Sequence, residues 1–195
     1  MPREITGFSN PLVKQVKSLR DKKHRRAEGL FLAEGLRILT EALEAGIAPR
    51  MLWHAPETAG HPLLQKLVQA TEAAGGEVFI TSTDILSKLS GKDNPGAVIG
   101  VYPEMLTPLA ALGRASAGIW LVAERLRDPG NLGTILRTLA WFGGLRCLLS
   151  PGSVDPYNPK VVRSSTERIL ARRARHTSGC QPGPVLTAVR LLSSS

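Results

Sequence analysis

Two polar side chains, Asn131 and Arg137, stand six residues apart in the segment Gly118–Phe142, GIWLVAERLRDPGNLGTILRTLAWF. Around them the residue types fall into a recognisable order. The apolar run Ile119–Ala123 reads as a buried strand, Asp128-Pro129-Gly130 as a turn, and the residues beyond as a helix whose apolar face is Leu132, Ile135, Leu136 and Leu139. A buried strand, a glycine-bearing turn and a helix N-terminus are the usual layout of a ligand or catalytic corner in an α/β domain. Asn131, following Pro-Gly, reads as the helix N-cap, and Glu124 ends the strand. Arg137 comes almost two turns later. A cation near a helix start opposes the macrodipole, so this position asks for another reason, and a permanently protonated guanidinium suits a phosphate or an oxyanion.

The elements that must carry this corner alternate along the whole chain. Pro11 to about Ala27 reads as one basic amphipathic helix with Leu12, Val16 and Leu19 on its apolar side. Phe31–Ala33, Met51–Ala55, Val78–Thr81 and Ala97–Val101 read as strands. Helices are expected from Glu34-Gly35 onward, at Pro62–Ala74, and at Asp84–Leu89 behind a Ser82 or Thr83 cap. Strands alternating with helices indicate an α/β domain, and the Pro, Gly, Ala and Ser of Pro103–Ala117 mark its boundary. Beyond the corner, Leu145–Leu149 reads as a strand and a further helix starts near Lys160.

The corner resembles the first motif of the SpoU/TrmH family of RNA ribose 2'-O-methyltransferases, in the knotted SPOUT superfamily. The matching residues are Glu124, Asp128, Pro129, Gly130, Asn131, Gly133, Thr134, Arg137, Thr138 and Ala140. The run SVDPYNPKVVRSS (Ser153–Ser165) is similar to the family's middle region. SNPLVKQVKSLRDKKHRRAEGLFLAEGLRILTEAL, near the N-terminus, is similar to the substrate-binding domain that precedes many of these enzymes.

The resemblance implies methyl transfer from S-adenosylmethionine to a ribose 2'-OH of structured RNA, with ribosomal RNA ahead of transfer RNA. Such a transfer requires the hydroxyl to lose its proton, the sulfonium methyl to be held in line, and the RNA backbone to be fixed. Arg137 then engages the ribose or its phosphate, organising charge rather than acting as a free base. Asn131 joins it as a catalytic candidate while also reading as a cap. Glu124, Lys160 and Arg163 are substrate-facing candidates. Each of these also has an ordinary reading, as a solvated strand end or a polar helix start. The family's enzymes act as dimers through the knot region, which this chain's divergent tail would not complete.

Charge supplies a second site that does not depend on the resemblance. The chain carries a formal +9, but residues 168–195 hold five arginines and no acid, leaving +4 for the remainder. Within that remainder Lys14–Arg26 has seven Lys/Arg against Asp21 alone. Lys14, Lys17, Lys22, Lys23, Arg25 and Arg26 can neutralise RNA phosphates without reading bases, and no aromatic interleaving supports stacking. Cys147 and Cys180 have no metal-ligand spacing, and the four histidines are scattered, so no metal is expected. A Rossmann fingerprint and a P-loop are both absent from the sequence. No apolar run reaches membrane-spanning length and the N-terminus lacks a signal-peptide core, so no membrane partner and a cytoplasmic location are expected.

The expected organisation is α/β throughout. Residues 1–105 form a small RNA substrate-binding domain, 106–117 a linker, and 118–167 the first part of an α/β-knot methyltransferase domain. Residues 168–195 form an anomalous basic tail expected to be disordered. The resemblance implies that the knot and most of the S-adenosylmethionine pocket come from motifs that find no match after Ser165. A shifted reading frame near Ser165–Thr166 and a lost or impaired activity are the expectations that follow. A non-enzymatic RNA-binding module is the alternative.

Overall fold

The computed structural model describes residues 2–105, 120–142 and 146–165, and the chain divides into two units, Met1–Glu104 and Met105–Ser195. The first unit runs β1 (Arg3–Ile5), α1 (Pro11–Ser18), α2 (Lys22–Glu28), β2 (Leu30–Glu34), α3 (Leu36–Glu44), β3 (Met51–His54), α4 (Pro62–Ala73), β4 (Glu77–Thr81), α5 (Thr83–Ser90) and β5 (Val98–Pro103). Its strands form a mixed sheet in the order β1-β4-β3-β5-β2. β1, β4 and β3 are parallel, while β5 runs antiparallel to both β3 and β2.

Side chains alternate across that sheet, and both faces are covered. On one face Ile5, Leu30, Leu32, Trp53, Phe79, Ile99 and Val101 form a single buried cluster with Val13 and Val16 of α1 and Ile85, Leu86 and Leu89 of α5. Trp53 stacks on Phe79 of the neighbouring strand, with ring centroids 4.4 Å apart. On the opposite face Phe31, Leu52, Val78 and Tyr102 are buried, as are Leu39 of α3 and Leu64 and Leu67 of α4. Gly100 is required there: a Cβ at this position would stand 2.6 Å from the Tyr102 ring and 3.1 Å from Leu39. The three layers bury nearly every large apolar side chain of the unit, which fixes its register.

Most of the expected elements are present within a residue or two of their ends. Two features differ. β1 is too short to show a period in the sequence, yet it pairs in parallel with β4, and Thr81 Oγ1 donates to the Ile5 carbonyl at 2.7 Å. The single basic helix expected from Pro11 to Ala27 is two helices. α1 ends at Ser18, and Asp21 caps α2 by accepting from the Lys23 amide at 3.0 Å. Asp at an N-cap begins a new helix where charge patterning alone suggests continuation.

The second unit contains β6 (Trp120–Ala123), α6 (Pro129–Phe142), β7 (Arg146–Leu149) and α7 (Pro159–Ser164). β6 and β7 pair in parallel, from Trp120 opposite Arg146 to Ala123 opposite Leu149, and α6 makes the crossover between them. β6 was expected to be fully buried. Instead Val122 is 59% exposed, and Trp120, Leu121 and Ala123 are half-buried, since among the described residues β6 pairs with β7 alone. The linker 106–117 and the tail 168–195 lie outside the described residues.

Replacing Trp53 with Ala removes both the stack on Phe79 and the largest buried side chain of the unit. Urea unfolding of the intact chain should show a loss of about 3–5 kcal/mol. A loss below about 1 kcal/mol would contradict the packing described.

Candidate functional site

The corner of the second unit is built by backbone amides that find side-chain acceptors. Beyond β6 the chain turns through Arg125, whose φ of 47° is the one positive value at a non-glycine residue among those described. The Arg125 amide donates to Ser150 Oγ at 2.7 Å and the Leu126 amide to Ser153 Oγ at 3.2 Å. The Leu126 carbonyl in turn accepts from the Val154 amide at 2.7 Å. The loop after β7 thus holds the loop after β6, and Glu124, Arg125 and Arg127 are left exposed on it.

α6 begins at Pro129, and its cap is Asp128, not Asn131. The Asp128 carboxylate accepts from the Asn131 amide at 2.7 Å, and its carbonyl accepts from Leu132 at 3.2 Å. This arrangement combines an acidic cap with Pro at the first helical position. Asn131 is therefore inside the first turn, and its side chain is released from capping. Arg137 is the ninth residue of a fourteen-residue helix. The macrodipole acts on the terminal turns, so the expected conflict with Arg137 does not arise. Asn131, Thr134, Arg137 and Thr138 are all exposed, on the face opposite the buried Leu132, Leu136 and Leu139. Spacings of three and four residues place Asn131, Thr134 and Arg137 or Thr138 side by side on that face.

The far side of α6 carries α7. Gly133 lies so close to Ser164 that a Cβ there would stand 1.8 Å from its Oγ and 2.9 Å from its carbonyl carbon. The contact with α7 makes this motif residue a packing glycine. α7 is capped by Asn158, whose side chain accepts from the Lys160 amide at 2.9 Å, and it buries Val161 and Val162. Lys160 and Arg163 are exposed on its outer side. Cys147, buried on β7, has its pKa pushed up to about 11 by burial, which keeps it a neutral core side chain.

In the first unit the basic segment divides by role. Lys14, Lys17, Lys23 and Arg26 are exposed and Lys22 is half-buried. Arg25 is 2% exposed and leaves the phosphate-facing set. Its Nη1 donates to the carbonyls of Leu19 and Arg20, at 2.9 and 2.7 Å. The end of a helix leaves carbonyls without intrahelical donors, and Arg25 satisfies two of them at the end of α1. Gln15 Nε2 also donates to Glu28 Oε2 at 2.7 Å, a second tie between the two helices. Nothing in a run of like charges identifies the inward-facing member. Only the break at Asp21 could have hinted at it. Among the described residues no group of His, Cys, Asp and Glu could hold a metal ion, and no helix is long and apolar enough to cross a membrane.

The chain thus comprises two α/β units, one with a covered mixed sheet beneath basic helices and one with an Asp-capped βα corner. Residues 10–100 match the MRM3-like substrate binding domain and residues 118–180 the SpoU rRNA methylase family. The chain belongs to the SpoU/TrmH family. It is 37% identical over 170 residues to the "uncharacterized tRNA/rRNA methyltransferase" of Synechocystis sp., covering 83% of this chain and 57% of that protein. It is 27% identical to the 23S rRNA (guanosine(2553)-2'-O)-methyltransferase of Bacillus subtilis, covering 84% of this chain and 60% of that one. The AdoMet-bound rRNA methyltransferase from Sinorhizobium meliloti is similar in structure, with a TM-score of 0.79 and 28% identity over 97% of this chain and 64% of that one. The chain thus spans less than two thirds of the length of each.

Gly133→Ala tests the corner. Helix propensity alone would make it stabilising by about 1 kcal/mol. The overlap with Ser164 should reverse the sign, giving a net loss of about 1–3 kcal/mol in chemical denaturation. Ser164→Gly in the same chain should restore only part of this, because the Ser164 backbone carbonyl carbon remains too close.

Proposed function

We propose that the chain acts in 2'-O-methylation of structured RNA, ribosomal RNA in the first place. In this reading the first unit binds the RNA backbone and the α6 corner meets the target ribose. The observation that carries it is the exposed face of α6, where Asn131, Thr134 and Arg137 stand clear of the helix cap on a corner held by Ser150 and Ser153. S-adenosylmethionine, when bound, supplies an electrophilic methyl group. The resemblance assigns most of its pocket to motifs that find no match after Ser165, so the corner is read for the substrate alone.

The Arg137 guanidinium attracts the phosphate beside the target ribose, while favouring the oxyanion over the neutral hydroxyl. The Asn131 amide, which has both a donor and an acceptor, orients the same sugar. Glu124 at the end of β6 and Lys160 and Arg163 on α7 are further substrate contacts in this reading. Contact with a second copy of the chain is the alternative role of Lys160 and Arg163, in the homodimer expected of the family. A cytoplasmic location accompanies a bacterial ribosomal substrate. In the first unit Lys14, Lys17, Lys22, Lys23 and Arg26 neutralise phosphates, with Arg25 holding their two helices together.

Removing Arg137 (Arg137→Ala) should lower the rate of methyl transfer to ribosomal RNA about 100-fold or more while leaving RNA affinity within about two-fold. Equal loss in affinity and rate would make Arg137 a simple binding residue. Calorimetry with S-adenosylmethionine beside RNA titrations separates the alternative, a binding module resting on the self-contained core of the first unit. Salt-sensitive RNA binding without cofactor binding would favour the module.

The basic helices make a separate prediction. Each of Lys14→Ala, Lys17→Ala and Lys23→Ala should reduce the slope of log K against log salt by up to about 0.7–0.9. Arg25→Ala should leave that slope unchanged and instead lower stability, by about 1–3 kcal/mol in urea unfolding, because two carbonyls lose their donor.

A further inference from the structure

Among the described residues, Phe8 lies outside the buried cores. It is 44% exposed, and among the described residues only Val122 is a comparably exposed large apolar side chain. The ring is nevertheless held in place. The Asn10 amide donates to the Gly7 carbonyl at 3.2 Å, and Asn10 caps α1 by accepting from Leu12 at 2.9 Å, so the loop bearing Phe8 is closed directly against the helix start. From α5, the Lys88 ammonium stands 3.9 Å from the ring centroid. α1 and α5 belong to one buried cluster through Val13, Val16, Ile85 and Leu89, which fixes the two elements relative to each other.

We propose that Phe8 and Lys88 form a stacking subsite for an unpaired base of the RNA. This rests on the RNA-binding reading of the first unit and extends it from phosphates to bases. An ammonium over one face of an aromatic ring orients it and polarises it. The exposed remainder of the ring offers a flat apolar surface, and a nucleobase stacks on such a surface whatever its sequence. The lysine that clamps the ring also places a positive charge beside the stacked base, where the strand's phosphates run. Lys14 and Lys17 are exposed on α1, the helix whose start Phe8 precedes. Asp84 is the acid on α5, one turn before Lys88. A protein partner would need a broader apolar area than one ring among lysines; an RNA strand needs a ring and cations.

The test compares two oligomers of about 12 nucleotides, an oligouridine and an abasic ribose-phosphate chain of equal length, by fluorescence anisotropy with the intact chain at several salt concentrations. Phe8→Ala should weaken oligouridine binding about ten-fold at unchanged salt slope and leave abasic binding unaltered. Phe8→Trp should bind oligouridine at least as well as the unsubstituted chain. Lys88→Ala should weaken both oligomers. Phe8 is exposed, so Phe8→Ala should keep its circular dichroism spectrum and unfolding midpoint. Unchanged oligouridine binding by Phe8→Ala, or equal losses on both oligomers, would overturn the subsite. Binding that responds to Lys14 and Lys17 but not to Phe8 defeats the subsite alone. A chain that binds neither oligomer defeats the RNA-binding reading with it.

Discussion

The buried guanidinium of Arg25 sets the geometry on which the first unit's surface depends. A permanent charge is costly to bury, and here it is retained by two backbone carbonyls at the end of α1. Those carbonyls would otherwise face the neighbouring helix without donors. One interaction therefore solves two problems, terminating α1 and fixing α2 against it. The exposed lysines on either side of this joint inherit their relative positions from it. Below the joint, the three-layer packing of the sheet gives α1 a rigid seat through Val13 and Val16.

The second unit uses a different device for the same end. Its corner is positioned by small hydroxyls and an acidic cap rather than by a buried charge. Ser150 and Ser153 accept from successive amides of the opposing loop, so the turn at Arg125 keeps a left-handed conformation that a non-glycine residue seldom adopts. Asp128 caps α6 and so frees Asn131, and Gly133 lets α7 lie against the helix. The outcome is that Asn131, Thr134 and Arg137 stay exposed while the backbone carries the structure.

Much of this was legible in the sequence. Apolar periods located β2–β5 and α3–α5 of the first unit to within a residue or two at most ends, read α1 and α2 as one helix, and missed β1, because three residues contain too little period to read. The motif residues identified the βα corner and its family. Local signals competed in two places: Asn131 and Asp128 are both good caps, and the geometry of the turn chose the acid. Charge runs proved ambiguous in the same way, since the inward and outward members of Lys14–Arg26 have the same chemistry.

The sequence by itself determined the alternation of strands and helices, the family, the identity of the corner and the region of positive charge, because these follow from periodicity, residue type and motif spacing. Tertiary structure alone decided that Arg25 faces inward, that Gly133 packs against Ser164, and that Phe8 of the loop before α1 meets Lys88 of α5. Each of those outcomes depends on which elements come into contact, and residues far apart in the chain acquire a common environment only when the sheet and helices have packed.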